Sequence, residues 1–311
     1  MEHYVNIMLD SGFKAVFGNK QVAIDFINAT LQGERLVKDL IYIDKEIRPE
    51  TMDQRTIIFD CLCEDTDGTK FILEMQNCPQ RYFFNRGFYY ICRMISRQGE
   101  IGSEWKYELL PVYGIYLLNF SLPDFPTWRT DIVLANEVTG KSFGEIKLKQ
   151  VYISFELFNL QKEECITPLE NMIYVLKNMN LFDMSPFKEK DEAYRRLLDV
   201  ANVNAMTPHE RAVYDENLKN YRDWRCTTEY AIEKANEKGL KQGMEKGMKE
   251  GLERGMKEGL EKGMKEGMKE GMKEGQQLAS HQVATTMKQK GYDLKEISEC
   301  TGLSPEEIEK L

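Results

Sequence analysis

Histidine is scarce: the 311-residue chain has only His3, His209 and His281. Zinc hydrolases and imidazole-based nucleases gather such residues into ligand sets or acid–base pairs, and this count argues against both. Positive charge is also short. Forty-two Lys and Arg against 51 Asp and Glu leave a net charge of −9, so the overall field gives no help in reaching a polyanion. Any contact with nucleic acid must come from a local basic patch and a bound cation. The seven cysteines are odd in number and lack metal-ligand spacing; Cys61 and Cys63 alternate onto one strand face, as core thiols of a reducing compartment would. No apolar run is long enough to span a bilayer, and the N-terminus lacks the pattern of a signal peptide. The expectation is a soluble, cytoplasmic protein with no membrane partner. Its length allows one large domain or two smaller ones.

What is present centres on residues 57–76. Two β-rich apolar runs, Ile57-Ile58-Phe59-Asp60-Cys61-Leu62-Cys63 and Thr69-Lys70-Phe71-Ile72-Leu73-Glu74-Met75-Gln76, flank a turn containing Gly68. That pattern predicts a β-hairpin. A two-residue Asp67-Gly68 turn would set Asp60 opposite Met75. A three-residue loop closed by Gly68 in the left-handed region sets Asp60 opposite Glu74 and Ile58 opposite Gln76. The second register gathers Phe59, Cys61, Cys63, Phe71, Leu73 and Met75 on one apolar face, and strict alternation favours it. Two opposed carboxylates destabilise a sheet unless something positive lies between them. Hard cations are held by one or two carboxylates plus waters and phosphate oxygens, so Asp60 and Glu74 read as metal ligands, with Gln76 on the same side. The other reading is a solvated face whose charges pair with Lys70 and nearby arginines.

Along the chain, residues 10–32 have helical spacing, with Asp10 and Lys14 placed as an i,i+4 ion pair. Leu36 to Ile47 alternates as a strand, Arg81 to Arg97 reads as a helix, and Leu109 to Phe120 and Lys147 to Phe158 as further strands. Arg86, Tyr90, Arg93 and Arg97 form one stripe on the Arg81–Arg97 helix, either a phosphate-binding edge or an ordinary solvated face. Pro168 to Phe182 and Asp191 to about Asn236 read as helices. The elements describe an α/β core of mixed sheet over 1–165 and a helical extension over 166–236, followed by a four-residue repeat over 237–276 and a small helical unit over 277–311.

In the repeat, glycine recurs at every fourth position from Gly239 to Gly275, followed by Met or Leu except at Gln276. Lys241, Glu245, Lys249, Glu253, Lys257, Glu261 and Lys265 alternate in sign at i,i+4, as do Lys246, Glu250, Arg254, Glu258, Lys262 and Glu266. A flexible linker has no reason to keep two such stripes. The segment therefore reads as a helix that self-associates through its glycine and Met/Leu stripes, whose period of four advances about 40° per repeat and favours right-handed crossing. A repeat expanded by slippage and merely tolerated is the alternative. After it come short helices over Ala279 to Lys290, ending at Gly291, over Leu294 to Cys300 and over Pro305 to Leu311, the last capped by Ser304 with Glu307 at N3.

Asp10-Ser11-Gly12-Phe13-Lys14 with Phe17-Gly18, Phe59-Asp60, Glu74-Met75-Gln76, and Arg86 followed by Tyr89-Tyr90 together resemble the PD-(D/E)XK nuclease family of transposases, the Rpn-type recombination-promoting nucleases. The resemblance covers roughly residues 3–235. It implies a restriction-endonuclease-like core and cleavage of DNA that depends on Mg²⁺ or Mn²⁺. It makes Asp60 and Glu74 the metal ligands, Gln76 the occupant of the position where most of the superfamily has lysine, and Asp10 the acidic residue at the site's edge. Glutamine has no charge with which to polarise water or steady a phosphorane, which leaves a second metal or Lys14 to serve. Arg86, Tyr90 and Arg93 become DNA-binding candidates. Two other readings stand beside the endonuclease: a binding protein that keeps the fold with a weakened site, and an assembler whose working part is the repeat.

Overall fold

The structure, a computed structural model, describes residues 3–47, 56–99, 106, 108–143, 148–182 and 192–311. The chain divides into two units, Met1–Arg225 and Cys226–Leu311.

The first unit is α/β. It opens with α1 (Asp10–Phe17) and α2 (Lys20–Thr30), so the single helix expected over 10–32 is divided. The cause is Asn19, whose side chain accepts from the backbone N–H groups of Gln21 and Val22 and starts a new helix. A Cβ on Gly12 would lie 2.1 Å from the Asn6 carbonyl oxygen, so only glycine lets α1 approach the segment before it.

Strands β1 (Leu40–Tyr42), β2 (Glu46–Ile47), β3 (Ile57–Ile58), β4 (Cys61–Asp65) and β5 (Lys70–Gln76) follow, then α3 (Phe83–Ser96). After these come β6 (Val112–Leu118), β7 (Arg129–Val133), β8 (Leu148–Ser154), α4 (Pro168–Asn178) and α5 (Glu192–Ala201). The main sheet has the order β1-β4-β5-β6-β8-β7, with β5, β6 and β8 parallel and the remaining pairs antiparallel. The mixed sheet is the one expected. Its antiparallel edge strand β7 was not, and the strand expected over Leu36 to Ile47 is two strands in different sheets. β2 pairs with β3 as a separate ribbon.

Even-numbered side chains of β5 and β6 face α3, where Ile72 and Val112 pack with Ile91 and Met94. On the other face Phe71, Leu73, Ile115 and Val151 share one core with α1, α2, α4 and α5. Helices α4 and α5 thus bury their apolar stripes in the same core as the sheet. α3 lies close to the sheet because of Gly87: a Cβ there would stand 3.1 Å from the Tyr116 ring and 3.2 Å from the Tyr152 hydroxyl. The Tyr116 hydroxyl donates to the Gly87 carbonyl. This close approach fixes where the neighbouring Arg86 sits.

Helix α6 runs from Pro208 to Gln289 without a break, so the separate helix expected from Ala279 is its continuation. In the second unit it ends before Gly291, and α7 (Leu294–Thr301) and α8 (Pro305–Glu309) fold back on it. Ala284, Ile297 and Ile308 form their shared core. The Ser304 capping box with Glu307 is formed as expected.

Candidate active site

The hairpin adopts the three-residue loop. Cys61 pairs with Leu73, Cys63 with Phe71 and Glu64 with Lys70, and Gly68 has φ of 78°, a conformation that glycine reaches without strain. The register therefore aligns Asp60 with Glu74, but the ladder stops one residue short of them. The chain bends at Asp60, and Ile57–Ile58 leaves to pair with β2. One expectation fails as a result: Phe59 joins Leu62 and Ile72 under α3, instead of sharing the face of Cys61 and Cys63.

At the bend, side chains replace main-chain pairing. The Asp60 N–H donates to Glu74 Oε1 at 3.2 Å, and the Met75 N–H donates to Asp60 Oδ2 at 2.9 Å. Each carboxylate is thus fixed by one oxygen. Asp60 Oδ1 and Glu74 Oε2 accept no hydrogen bond among the described residues. Glu74 is 7% exposed and Asp60 partly buried. Burial, and then the charge of Asp60, pushes the Glu74 carboxyl up to about 8, against smaller downward pulls from the Asp60 N–H and Arg86. Asp60 is raised as well, first by burial and then by Asp10, while the Met75 N–H, Lys14 and Arg86 act the other way. A buried and a partly buried carboxyl, held together at the cost of ionisation, are groups that could hold a cation.

From α3, Arg86 Nη2 donates to Gln76 Oε1 at 2.7 Å and Nη1 to Gln80 Oε1 at 2.7 Å. The guanidinium lies over the rings of Phe83, at 5.2 Å, and Tyr90, at 5.9 Å. Tyr90 in turn meets Phe59 edge-on at 5.3 Å. Of the basic stripe, then, Arg86 and Tyr90 come to the carboxylates, whereas Arg93 is 8% exposed and closed to a strand in solvent. Asp10 and Lys14 form their ion pair on α1. They act on Asp60 through space only, and no cluster of three potential metal ligands occurs among the described residues.

Lys45 was missed by sequence reasoning. Its carbonyl accepts from the Phe59 N–H at 2.9 Å, and it lines a slot of about 180 Å³ with Lys14, Tyr42 and Asp60. Its only sequence signal was a place in an alternating run, because the β2–β3 ribbon that brings it to Asp60 is a long-range pairing.

A family model described as PD-(D/E)XK nuclease family transposase matches residues 7–231. No curated protein and no solved structure matches the chain.

Proposed function

This chain belongs to the PD-(D/E)XK nuclease family of transposases, and we propose that it is a metal-dependent DNA endonuclease serving recombination or mobile elements. The observation that carries this reading is the Asp60–Glu74 pair, Glu74 buried and Asp60 partly so, both raised in pKa, with one oxygen of each carboxyl unbonded among the described residues. Such a donor set suits Mg²⁺ or Mn²⁺, which accept one or two carboxylates and take their remaining oxygens from water and phosphate. When bound, the ion supplies Lewis-acid stabilisation of phosphate charge and a more acidic water.

The protein's own groups do the rest. Asp60 and Glu74 are pre-set by backbone N–H groups, so they reach the cation without losing side-chain freedom at that moment. Arg86 and Tyr90 orient the strand, Arg86 by charge and Tyr90 by its ring. Asp10 and Lys14 stand at the edge beside Asp60. With a net charge of −9, these few cations and the bound metal supply the attraction that the whole molecule lacks. No helix of the described residues is long and apolar enough to cross a membrane. We place the protein in the cytoplasm, where its seven free cysteines stay reduced.

The test is nicking of supercoiled and single-stranded DNA by the purified protein, with Mg²⁺, with Mn²⁺ and with chelator. Cleavage that appears only with metal is the expected result. Glutamine at position 76 favours the second reading, a weakened DNA-binding or oligomeric protein on the nuclease fold. DNA binding in the presence of metal, with no cleavage of any substrate, would select it.

A further inference from the structure

We propose that Arg86 supplies, from helix α3, the positive charge at the scissile phosphate that strand residue 76 lacks, and that Gln76 is the positioning residue that holds it there. The inference rests on the nuclease reading and assigns a group within that site. The sequence left two substitutes for the missing charge, a second metal and Lys14. A second metal needs a carboxylate beyond the Asp60–Glu74 pair, and Asp10, the acidic residue expected at the site's edge, is paired with Lys14. Lys14 is committed to Asp10 and stands in solvent on α1. It lines the slot beside Asp60, whereas Arg86 bonds directly to Gln76, the residue that stands where the lysine is absent.

The geometry around Arg86 points the same way. A lysine at 76 would project from the same face as Glu74, two residues along β5. Gln76 projects there instead, and its Oε1 takes a hydrogen bond from Arg86 Nη2 at 2.7 Å. Gln80 takes another from Nη1 at 2.7 Å, and Phe83 and Tyr90 flank the guanidinium plane. Nε has no partner among the described residues, so a donor remains for a phosphate oxygen after both glutamines are served. Arginine suits the position because its planar fork can be held by two amides and still present charge. The close approach at Gly87 keeps the helix at the distance this requires.

The experiment compares the parent, Arg86→Gln, Gln76→Ala and the double variant Gln76→Lys/Arg86→Gln. Each is measured for cleavage in Mg²⁺, for binding of a fluorescent DNA duplex in Ca²⁺ across a salt series, and for binding of Mn²⁺ alone. Arg86→Gln is expected to lower cleavage by about 100-fold or more and to reduce the salt slope of duplex binding by about one. Its Mn²⁺ affinity should hold or rise, because a cation beside the carboxylates has gone. Gln76→Ala should keep the slope and lose about tenfold in rate, since the charge remains but is less well placed. Moving the charge back to the strand in the double variant should recover at least about tenfold over Arg86→Gln.

The proposal is overturned if Arg86→Gln cuts within about threefold of the parent. It is overturned equally if that variant loses Mn²⁺ affinity along with cleavage, which would make Arg86 a structural support of the carboxylates. A double variant that is folded but no better than Arg86→Gln also counts against it. A parent that binds duplex in Ca²⁺ yet cuts nothing removes the nuclease reading alone. The salt slope then decides on Arg86: a loss of about one unit supports its phosphate contact, and an unchanged slope overturns it.

Discussion

Glu74→Gln should abolish DNA cleavage and, in the same metal-free protein, raise thermal stability at alkaline pH. The two effects have one origin. Glu74 is buried and its carboxyl is raised from 4.5 to about 8. Below the ordinary value both folded and unfolded chains hold the proton, and the contribution to stability is complete. As pH rises from 4.5 towards 8, the unfolded chain releases a proton that the folded chain keeps. Stability then falls by at most about 1.4 kcal/mol per pH unit, and levels off above the folded value. Glutamine does not titrate, so the variant escapes this loss while its Oε1 still accepts from the Asp60 N–H.

The gap between variant and parent should therefore be small near pH 5 and reach on the order of 10 °C near pH 9. Millimolar Mg²⁺ should reverse it, because only the parent gains binding energy from the ion. Cleavage should fall by more than about 100-fold, since losing groups that merely hold a ligand in place already costs 10–100-fold. Asp60→Asn should follow the same course. Alanine at either position confuses the issue, because it strands a backbone N–H at a cost of about 1–3 kcal/mol. A stability gap that stays flat with pH would mean that Glu74 ionises normally, and the cation seat would be wrong.

The repeat should be helical only when it has a partner. Its ten glycines each cost about 1 kcal/mol against alanine inside a helix. The charge pairs, of which Lys246–Glu250 is formed at 3.8 Å, contribute about 0.2–0.5 kcal/mol each. The deficit is several kcal/mol, yet α6 is continuous through all ten. Within one chain nothing uses the absence of their side chains: a Cβ on any of them would meet nothing within 4 Å. Leu240, Met244, Met248, Leu252 and Met256 are each at least 66% exposed. We propose that a second copy covers this face, with glycine allowing backbones to approach.

Residues 239–275 as a dilute peptide should then show little helical circular dichroism, and the full chain should gain helix as it self-associates. Salt at about 1 M, where the screening length is about 3 Å, should weaken the helix without ending association. Replacing Gly255, Gly259 and Gly263 by alanine should raise intrinsic helicity and weaken association. If the alanine variant assembles as well as the parent, the glycines are not an interface and the repeat is a spacer.

The hairpin register was legible because side-chain alternation and Gly68 admit few solutions, and a slip of one residue would have exposed Phe71 and Leu73. The helix break at Asn19 also had a local signal, a residue that caps better than it propagates. The bend at Asp60 had none. It depends on β3 leaving for β2 and on carboxylates satisfying N–H groups across the gap, and both are long-range facts. For the same reason sequence spacing put Arg86 and Arg93 on one stripe but could not tell that Gly87 seats α3 with Arg86 over Gln76 and Arg93 inside. Lys45 became visible only when the ribbon placed it beside Asp60.

Calorimetric titration of Mn²⁺ into the metal-free parent and into Glu74→Gln at about pH 7, in two buffers of different ionisation enthalpy, tests the cation seat most directly. The parent should bind in the low-millimolar range or tighter and release about one proton per ion, because Glu74 holds its proton until the metal displaces it. The variant should bind far more weakly and release none. Parent binding with no proton release, or equal binding by both proteins, would contradict the assignment of Asp60 and Glu74 as the metal site.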